Sequence, residues 1–202
     1  MSCTTIKLQK SARFCKGAVV TPGIKPHLYY ITRSEITAWP TREAVGTETA
    51  ATDPEKVAKY TGNFTLAADA AWHRIDLVEN AGTIQWETQG SKYARTYAET
   101  LEVRFPDAEN ENARGLQAIA LHQDLIFLVP SNSGKYYVLG NENFDVEVTG
   151  SGTFGEGLDS DDQGVTFSLS VTDTVPPVHY PGNIVTEEEG TISGATGKPV
   201  TA

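Results

Sequence analysis

The stretch VTGSGTFGEGLDSDDQGVTFSLSVT, residues 148–172, decides the fold. Its second half alternates apolar with hydroxyl-bearing residues, namely Val165, Phe167, Leu169 and Val171 against Thr166, Ser168, Ser170 and Thr172. Because successive side chains of a strand point to opposite faces, this pattern predicts a strand with one buried and one polar face. Residues 143–149 alternate as well, so the Gly- and Asp-rich residues 150–164 are predicted to form the loop of a long hairpin.

Two other interpretations of this loop compete with the hairpin. Gly150 to Gly155 match the dinucleotide-binding pattern G-x-G-x-x-G. That motif holds a pyrophosphate at the N-terminus of a helix that follows the glycines. Here a run of helix-breaking residues and another strand follow, and the acidic side chains would repel phosphate. The sequence therefore disfavours dinucleotide binding.

The same loop resembles half of a calcium-binding loop. Asp159, Asp161 and Gly164 occupy the first, third and sixth positions of an EF-hand pattern. Gln163 is a poor ligand at the fifth position, and Ser170 stands where a bidentate glutamate belongs. We therefore predict no dedicated metal site and no cofactor, with a weak set of candidate ligands in Asp159, Asp161 and Asp162.

Outward from this stretch, strand signals dominate the chain. The segment DLIFLVP (124–130) is continuously apolar, which is typical of a strand buried on both faces. Asn132-Ser133-Gly134 predicts a tight hairpin after it. The predicted strands are 27–32, 63–69, 72–78, 82–88, 94–105, 124–130, 135–140, 143–149 and 164–172. Their spacing predicts a mainly β fold, an antiparallel β-sandwich or barrel.

One segment has a helical pattern. Pro106 and Asp107 suit the start of a helix over about 106–122, where acidic residues complement the helix dipole. An apolar stripe at helical spacing follows, formed by Ala113, Leu116, Ile119 and Ala120. We expect this single α-helix to pack on the β-domain.

The remaining segments set the domain organisation. Residues 1–26 are predicted to be an N-terminal arm, and 27–174 the β-sandwich domain. Within it, 38–62 form a long loop that is either an interface or disordered. Residues 175–202 contain four prolines and four glycines, which predicts an extended C-terminal tail.

The charge is unevenly distributed. The formal net charge is −10, and no Lys or Arg occurs between Tyr136 and Gly197, where eleven acidic residues lie. This disfavours binding in nucleic-acid grooves, which requires the opposite sign. The chain has no apolar run long enough to span a membrane and no secretory signal pattern, so we expect a soluble protein of the cytosol with Cys3 and Cys15 reduced.

The sequence spells out no catalytic motif. The four histidines are far apart in the chain, and neither a nucleophile elbow nor a P-loop is present. We therefore expect a protein that is not an enzyme. A carbohydrate-binding or adhesin module is an alternative, in which an exposed Trp39, Trp72 or Trp86 would stack on sugar rings. Trp86 alternates with polar residues, which favours a core position instead.

Residues 124–180 resemble the C-terminal half of the tail tube (major tail) proteins of tailed bacteriophages. The shared layout is an apolar strand, an SG-type hairpin, Y-x-L-G, a Gly-rich loop and a D-x-x-G-x-T-x-x-L strand before a Pro-rich end. The segment RFPDAENENARGLQAIALHQ (104–123) resembles the single helix of that family. The resemblance covers roughly residues 60–180.

The resemblance implies a structural virion protein that self-assembles into stacked, hexameric rings. These rings form a conduit for genome DNA, in contact with other tail proteins and away from membranes. It implies localisation in the virion tail, with assembly in the host cytoplasm. Candidate acidic residues of the lumen are Glu142, Glu147, Glu156, Asp159, Asp161 and Asp162. Candidate interface residues are Trp39, Glu43, Glu48, Lys56, Tyr60, His179 and Tyr180. A tail terminator or head decoration protein would share most of these signals.

Overall fold

The computed structural model describes residues 21–43, 54–79, 82–92, 94–105, 111–122, 124–153 and 164–200. It confirms a mainly β, antiparallel sandwich with a packed helix. Its two principal sheets have five and four strands, and two small two-stranded sheets accompany them.

The five-stranded sheet is built on the apolar segment near residue 127. It contains β1 (His27–Thr32), β4 (His73–Asp76), β7 (Leu125–Pro130), β8 (Tyr136–Leu139) and β11 (Val178–His179), in the order β11-β8-β7-β1-β4. All six residues of β7 are buried, as the unbroken apolar run predicted. The hairpin after it is also confirmed, since β7 pairs antiparallel with β8 and Gly134 adopts a φ of 87° in the turn.

The four-stranded sheet contains the alternating segments. Its strands are β5 (Thr83–Ser91), β6 (Ala94–Phe105), β9 (Glu147–Thr153) and β10 (Gly164–Asp173), in the order β5-β6-β10-β9. Every neighbouring pair is antiparallel. The predicted strand 94–105 is confirmed at both ends.

Two apolar cores lie on opposite faces of the five-stranded sheet. The first fills the space between the two principal sheets and includes Leu101, Phe127 and Phe167. The second lies on the other face and includes Tyr29, Trp72 and Ile126. Odd-numbered residues of β7 enter the first core and even-numbered ones the second, which explains why the whole strand is apolar.

The second core is closed by the C-terminal segment, where the sequence predicted an extended tail. This segment contains β11 and a hairpin of β12 (Asn183–Thr186) and β13 (Gly190–Ser193). It buries Tyr180 and Ile184 completely, and Ile192 almost so. Prolines and glycines set its turns, while apolar residues between them anchor it to the sheet.

The described parts of the long loop 38–62 also pack on this core. Tyr60 is buried, and Trp39 and Val57 pack against the same cluster. One turn of helix, α1 (Pro54–Val57), lies in the loop, and a bridge joins Thr41 to Thr61. Residues 44–53 lie outside the described chain, as do residues 1–20 of the predicted arm.

Two predicted strands differ from the structure. Within 63–69, only β3 (Thr65–Leu66) is a strand, and it pairs with β2 (Ile36–Ala38). A turn with Asp69 at a φ of 63° follows it. The predicted strand 143–149 is replaced by β9, which starts later because the Asn141 side chain accepts backbone hydrogen bonds from Asn143 and Phe144 and holds them in a turn.

The predicted helix is confirmed as α2 (Glu111–Ala120), with residues 106–110 outside the described chain. Ala113, Leu116 and Ala120 enter the first core, as their spacing predicted. Ile119 was expected to join them, but it is 50% exposed.

Candidate assembly surface

The four-stranded sheet has a polar face that no other described element covers. Its inward positions enter the first core, so the alternate positions form the outer face. Hydroxyl and amide groups dominate this face, with Thr149, Ser151, Thr166, Ser168, Ser170 and Thr172 on β9 and β10, and Thr83, Gln85, Gln89 and Thr100 on β5 and β6. It extends across all four strands as one continuous hydrophilic surface.

The charged groups of this outer face are mainly acidic. Among the described residues, Glu87, Glu102 and Glu147 lie on it together with one base, Arg104. A neutral polar contact links β5 to β10 across β6, since Gln89 Nε2 donates to Thr172 Oγ1 at 3.0 Å. The face thus presents hydroxyl groups with a small excess of negative charge.

Both edges of this sheet lack a strand partner within the described chain. β5 is one outer strand, with nine residues, and β9 is the other, with seven. Free strand edges invite pairing with another chain. The two edges lie on opposite sides of the molecule, separated by β6 and β10.

Beside β5 lies an apolar groove of about 420 Å³. It separates the edge of the four-stranded sheet from the β8 and β11 side of the other sheet. Its apolar and aromatic lining comprises Ile24, Ile84, Trp86, Tyr137, Pro176 and Pro177. Trp86 is 55% exposed, although its alternation predicted a core position.

Beside β9 lies helix α2, which packs against β9 and β10. It exposes two large apolar residues, Ile119 at 50% and Leu121, just past its end, at 67%. Each side of the sandwich thus carries an unpaired strand and an exposed apolar feature.

A group of polar residues is buried at one end of the sandwich. Arg42 forms two hydrogen bonds to the Asp173 carboxylate, at 2.7 and 3.0 Å, and Asn141 Nδ2 donates to the same group at 3.1 Å. Glu99 is 2% exposed, and its Oε1 has no hydrogen-bond partner among the described residues. Burial and the nearby Asp173 raise the pKa of Glu99 to about 8, against the opposing effect of Arg42.

The Glu187–Glu189 triplet, at the β12–β13 turn, interacts with β4 and β1. His73 Nδ1 lies 2.7 Å from Glu187, and Arg74 forms an ion pair with Glu189. The Tyr29 hydroxyl donates to Glu189 at 2.5 Å. Burial opposes ionisation of Glu189, but these two donors prevail and lower its pKa. The triplet therefore fastens the C-terminal hairpin to the five-stranded sheet.

The predicted lumen residues are described only in part. Glu147 lies on the outer face of the four-stranded sheet, opposite Ser170. Glu142 is exposed in the β8–β9 connection, away from the strands of that face, and its carbonyl accepts a hydrogen bond from Arg33. Glu156, Asp159, Asp161 and Asp162 lie outside the described residues, as does Gly155.

The predicted interface residues divide into two groups. Tyr60 and Tyr180 are buried, so both are corrected from interface to core positions. The Tyr180 hydroxyl donates to the Asn183 carbonyl at 2.8 Å and accepts from the Phe64 amide at 3.1 Å. His179 is half-buried and forms an isolated parallel β-bridge with Lys59.

Three further candidates lie at or near the surface. Trp39 is half-buried against Phe64. Glu43 and Lys56 are exposed and form an ion pair with each other at 3.3 Å. Glu48 lies outside the described residues. These contacts are all within one chain.

The tryptophans proposed for sugar stacking are not equivalent. Trp72 is 1% exposed and belongs to the second core, which removes it from this role. Trp86 is the exposed member, because β5 is the outer strand of its sheet, whereas its partner Glu99 on β6 is buried. Local alternation identified the inward face of β5 but carried no information on the strand order, which puts β5 at an edge.

No cluster of three or more His, Cys, Asp or Glu side chains suited to a metal ion occurs among residues 21–200 where they are described. The helices in that part of the chain are too short or too polar to cross a membrane. The candidate ligands Asp159, Asp161 and Asp162 lie outside the described residues.

Comparison of the chain with models of known protein families, with curated proteins and with solved structures finds no match.

Proposed function

We propose that this chain is a structural subunit of a bacteriophage tail tube, which assembles into stacked rings around a conduit for genome DNA. The main support for this proposal is the four-stranded sheet. Within the described residues it has a polar outer face and two unpaired edges on opposite sides. A contact between unlike edges of successive copies is heterologous, and such contacts close into rings when the rotation permits.

Strand direction supports this assembly. The order β5-β6-β10-β9 alternates in direction, so β5 and β9 run in opposite senses. In a ring, each copy is related to the next by rotation about an axis roughly parallel to the strands. This rotation keeps the direction of every strand the same from copy to copy. The β9 edge of one copy therefore meets the β5 edge of the next in antiparallel orientation, and the alternation continues around the ring.

The size of such a ring suits a conduit. Six copies would contribute twenty-four strands, which at about 4.8 Å per strand give a circumference of roughly 115 Å before tilt. This corresponds to a backbone diameter of roughly 37 Å, which tilt widens further. In this arrangement the outer face of each sheet lines the inside of the barrel.

The chemistry of that face favours passage over binding. Basic side chains would hold DNA through its phosphates and release of counterions. Here hydroxyl groups and the acids Glu87, Glu102 and Glu147 would face the duplex instead, with one arginine among the described positions. Like charges repel within a screening length of about 8 Å at physiological salt, which keeps DNA from sticking to the wall.

The direct test is assembly of the purified chain. We expect light scattering to show growth with concentration and negative-stain images to show rings or tubes with a central hole. A monomer at all concentrations up to the millimolar range would contradict the proposal. Rings that do not stack would instead assign the chain to a terminator-like role in the tail, and binding only to assembled capsids would indicate a decoration protein.

The exposed Trp86 favours one second candidate, a carbohydrate-binding module. An exposed indole beside a groove can stack on a sugar ring. Glycan-array binding that is lost in Trp86→Ala, together with a strictly monomeric state, would favour this function over the tube.

A further inference from the structure

We propose that each copy contacts the next through Trp86 and the groove beside it. This surface of one copy receives helix α2 of the next copy, at the place where that helix lies above the glycines of its own β9. This inference rests on the proposed ring assembly and specifies the side chains of its contact. It concerns residues on the inward face of the sheet, behind the polar surface.

The projecting half of the contact is on β5. Trp86 lies opposite Glu99 of β6, on the inward face, and yet it is 55% exposed. An indole is among the largest apolar groups that a contact can bury. Its ring projects beside an unpaired strand edge and over a groove whose walls include Ile24 and Tyr137.

The receiving half is on β9. Gly150 and Gly152 occupy inward positions there, opposite Phe167 and Val165 of β10. A methyl group added at Gly150 would approach Gln117 of α2 to 2.4 Å, so the helix lies close above this part of the strand. At Gly152 an added methyl group would meet Val165 at 3.6 Å, an ordinary van der Waals distance, so this position accepts a small side chain.

The two halves match when β5 of one copy pairs with β9 of another. Inward positions of the two strands then lie side by side, so the Trp86 ring extends towards Gly152, next to the part of β9 that Gln117 of α2 covers at Gly150. The exposed Ile119 and Leu121 of α2 lie in the same layer and reach the groove. This gives the first half of the G-x-G-x-x-G stretch a role in packing.

A second copy is the best occupant because the two halves lie on opposite sides of one molecule. No copy can fill its own groove with its own α2, and each contact leaves one half open at either end until the ring closes. The groove offers the indole N–H of Trp86 and the hydroxyl groups of Tyr137, Thr83 and Ser131, and the rest of its side-chain lining is apolar.

Cross-linking tests this contact in the full-length chain, with Cys3→Ser and Cys15→Ser as background. We expect a short bis-maleimide to join Trp86→Cys chains to Gly152→Cys chains only when the two variants are mixed. Neither variant alone should cross-link, because a heterologous contact brings unlike positions together. The double variant should give a ladder of oligomers. Assembled particles in which each variant cross-links only to itself would overturn the proposal.

A matched pair of substitutions measures the energetic role. Trp86→Ala should raise the concentration for half-maximal assembly at least tenfold, whereas Val185→Ala, at a residue 46% exposed on β12, should change it less than twofold. Both variants should keep the parent's circular dichroism and melting temperature, since both side chains are largely outside the core. Equal effects of the two on assembly would overturn the proposal.

The outcomes separate this inference from the proposed function. Rings or tubes that are indifferent to Trp86 and give no mixed cross-link would remove this contact and leave the tube. A chain that never assembles would remove both. Loss of glycan binding in Trp86→Ala, with no assembly, would assign the groove to a sugar.

Discussion

The five-stranded and four-stranded sheets of this protein differ in how many of their faces are covered. In β7 all six residues are buried, because one core lies on each side of the strand. In β10 buried and partly exposed residues alternate, because one face is open. The same kind of hydrogen-bonded strand thus has two kinds of sequence, and the difference is set by packing on the faces.

The comparison also separates stability from assembly. The five-stranded sheet lies between the two cores, and its central strand β7 has both faces covered within one chain. The four-stranded sheet contributes one face to the fold and leaves the other face and both edges available among the described residues. Substitutions should therefore affect folding at every position of β7, and at alternate positions of β10.

The largest expected change in unfolding free energy comes from substituting neighbouring residues in each sheet. Phe127→Ala and Leu128→Ala should each cost about 3–5 kcal/mol of unfolding free energy, since both side chains are at most 1% exposed. In β10, Leu169→Ala should cost a similar amount and Ser168→Ala less than about 0.5 kcal/mol. Urea unfolding of the four variants measures this, and a large loss in Ser168→Ala would contradict the one-face description.

A second effect concerns the buried acid on the inward face of the four-stranded sheet. Folded Glu99 retains its proton up to a pKa of about 8, while the unfolded chain releases it near 4.5. Stability is therefore greatest below pH 4.5 with respect to this group and falls as the pH rises towards 8. We expect a loss on the order of 2–4 kcal/mol across that window.

Glu99→Gln removes this titration. The variant should unfold at higher urea than the parent at pH 8, and the two should converge near pH 5. Denaturation at three pH values checks the trend, with Glu102→Gln on the outer face as the matched control. A fall in parent stability that persists in Glu99→Gln would assign the pH dependence to another group.

A smaller loss of unfolding free energy is expected in the C-terminal segment that closes the second core. Tyr180→Phe leaves the buried Phe64 amide without its acceptor and the Asn183 carbonyl without its donor, so it should cost about 1–3 kcal/mol. Tyr137→Phe, at a half-buried position, should cost less than about 0.5 kcal/mol. Thermal and urea unfolding compare the two, and equal costs would show that this segment contributes little.

The smallest effect on folding is expected on the open face. Ser168→Lys combined with Ser170→Lys should change the unfolding free energy by less than about 1 kcal/mol, since both sites face outward. If that face lines a conduit, assembled particles of this variant should retain short duplex DNA at low salt and release it at high salt. Ser133→Lys at the exposed β7–β8 turn is the control, and retention by both would place the effect outside the lumen.

Local pattern was sufficient for the strands that have strong signals. The alternation of 94–105 and 164–172 and the apolar run at 124–130 each specify how many faces are buried, so their bounds agree closely with β6, β10 and β7. The helix was recognised by its spacing. The C-terminal strands were missed because prolines and glycines separate short apolar pieces, and their burial depends on a sheet formed by distant residues.

The candidate surface was less accessible from sequence. The outer face could be predicted from alternation in β10, and Glu147, one of the candidate acidic residues of the lumen, lies on that face. The exposure of Trp86 could not be predicted, because it depends on the strand order, which puts β5 at the edge of its sheet. Tyr60 and Tyr180 were assigned to an interface because their segments looked irregular, whereas their side chains fill a core.

The C-terminal segment that closes the second core bears on how the chain reaches its native state. β1 pairs with β7, almost one hundred residues later, and the second core on one face of these strands is completed by Ile184 and Ile192 of the C-terminal hairpin. Part of that apolar face therefore stays exposed until this hairpin packs on the sheet. Contacts between residues so far apart in sequence form slowly, so we expect the second core to be completed late in folding.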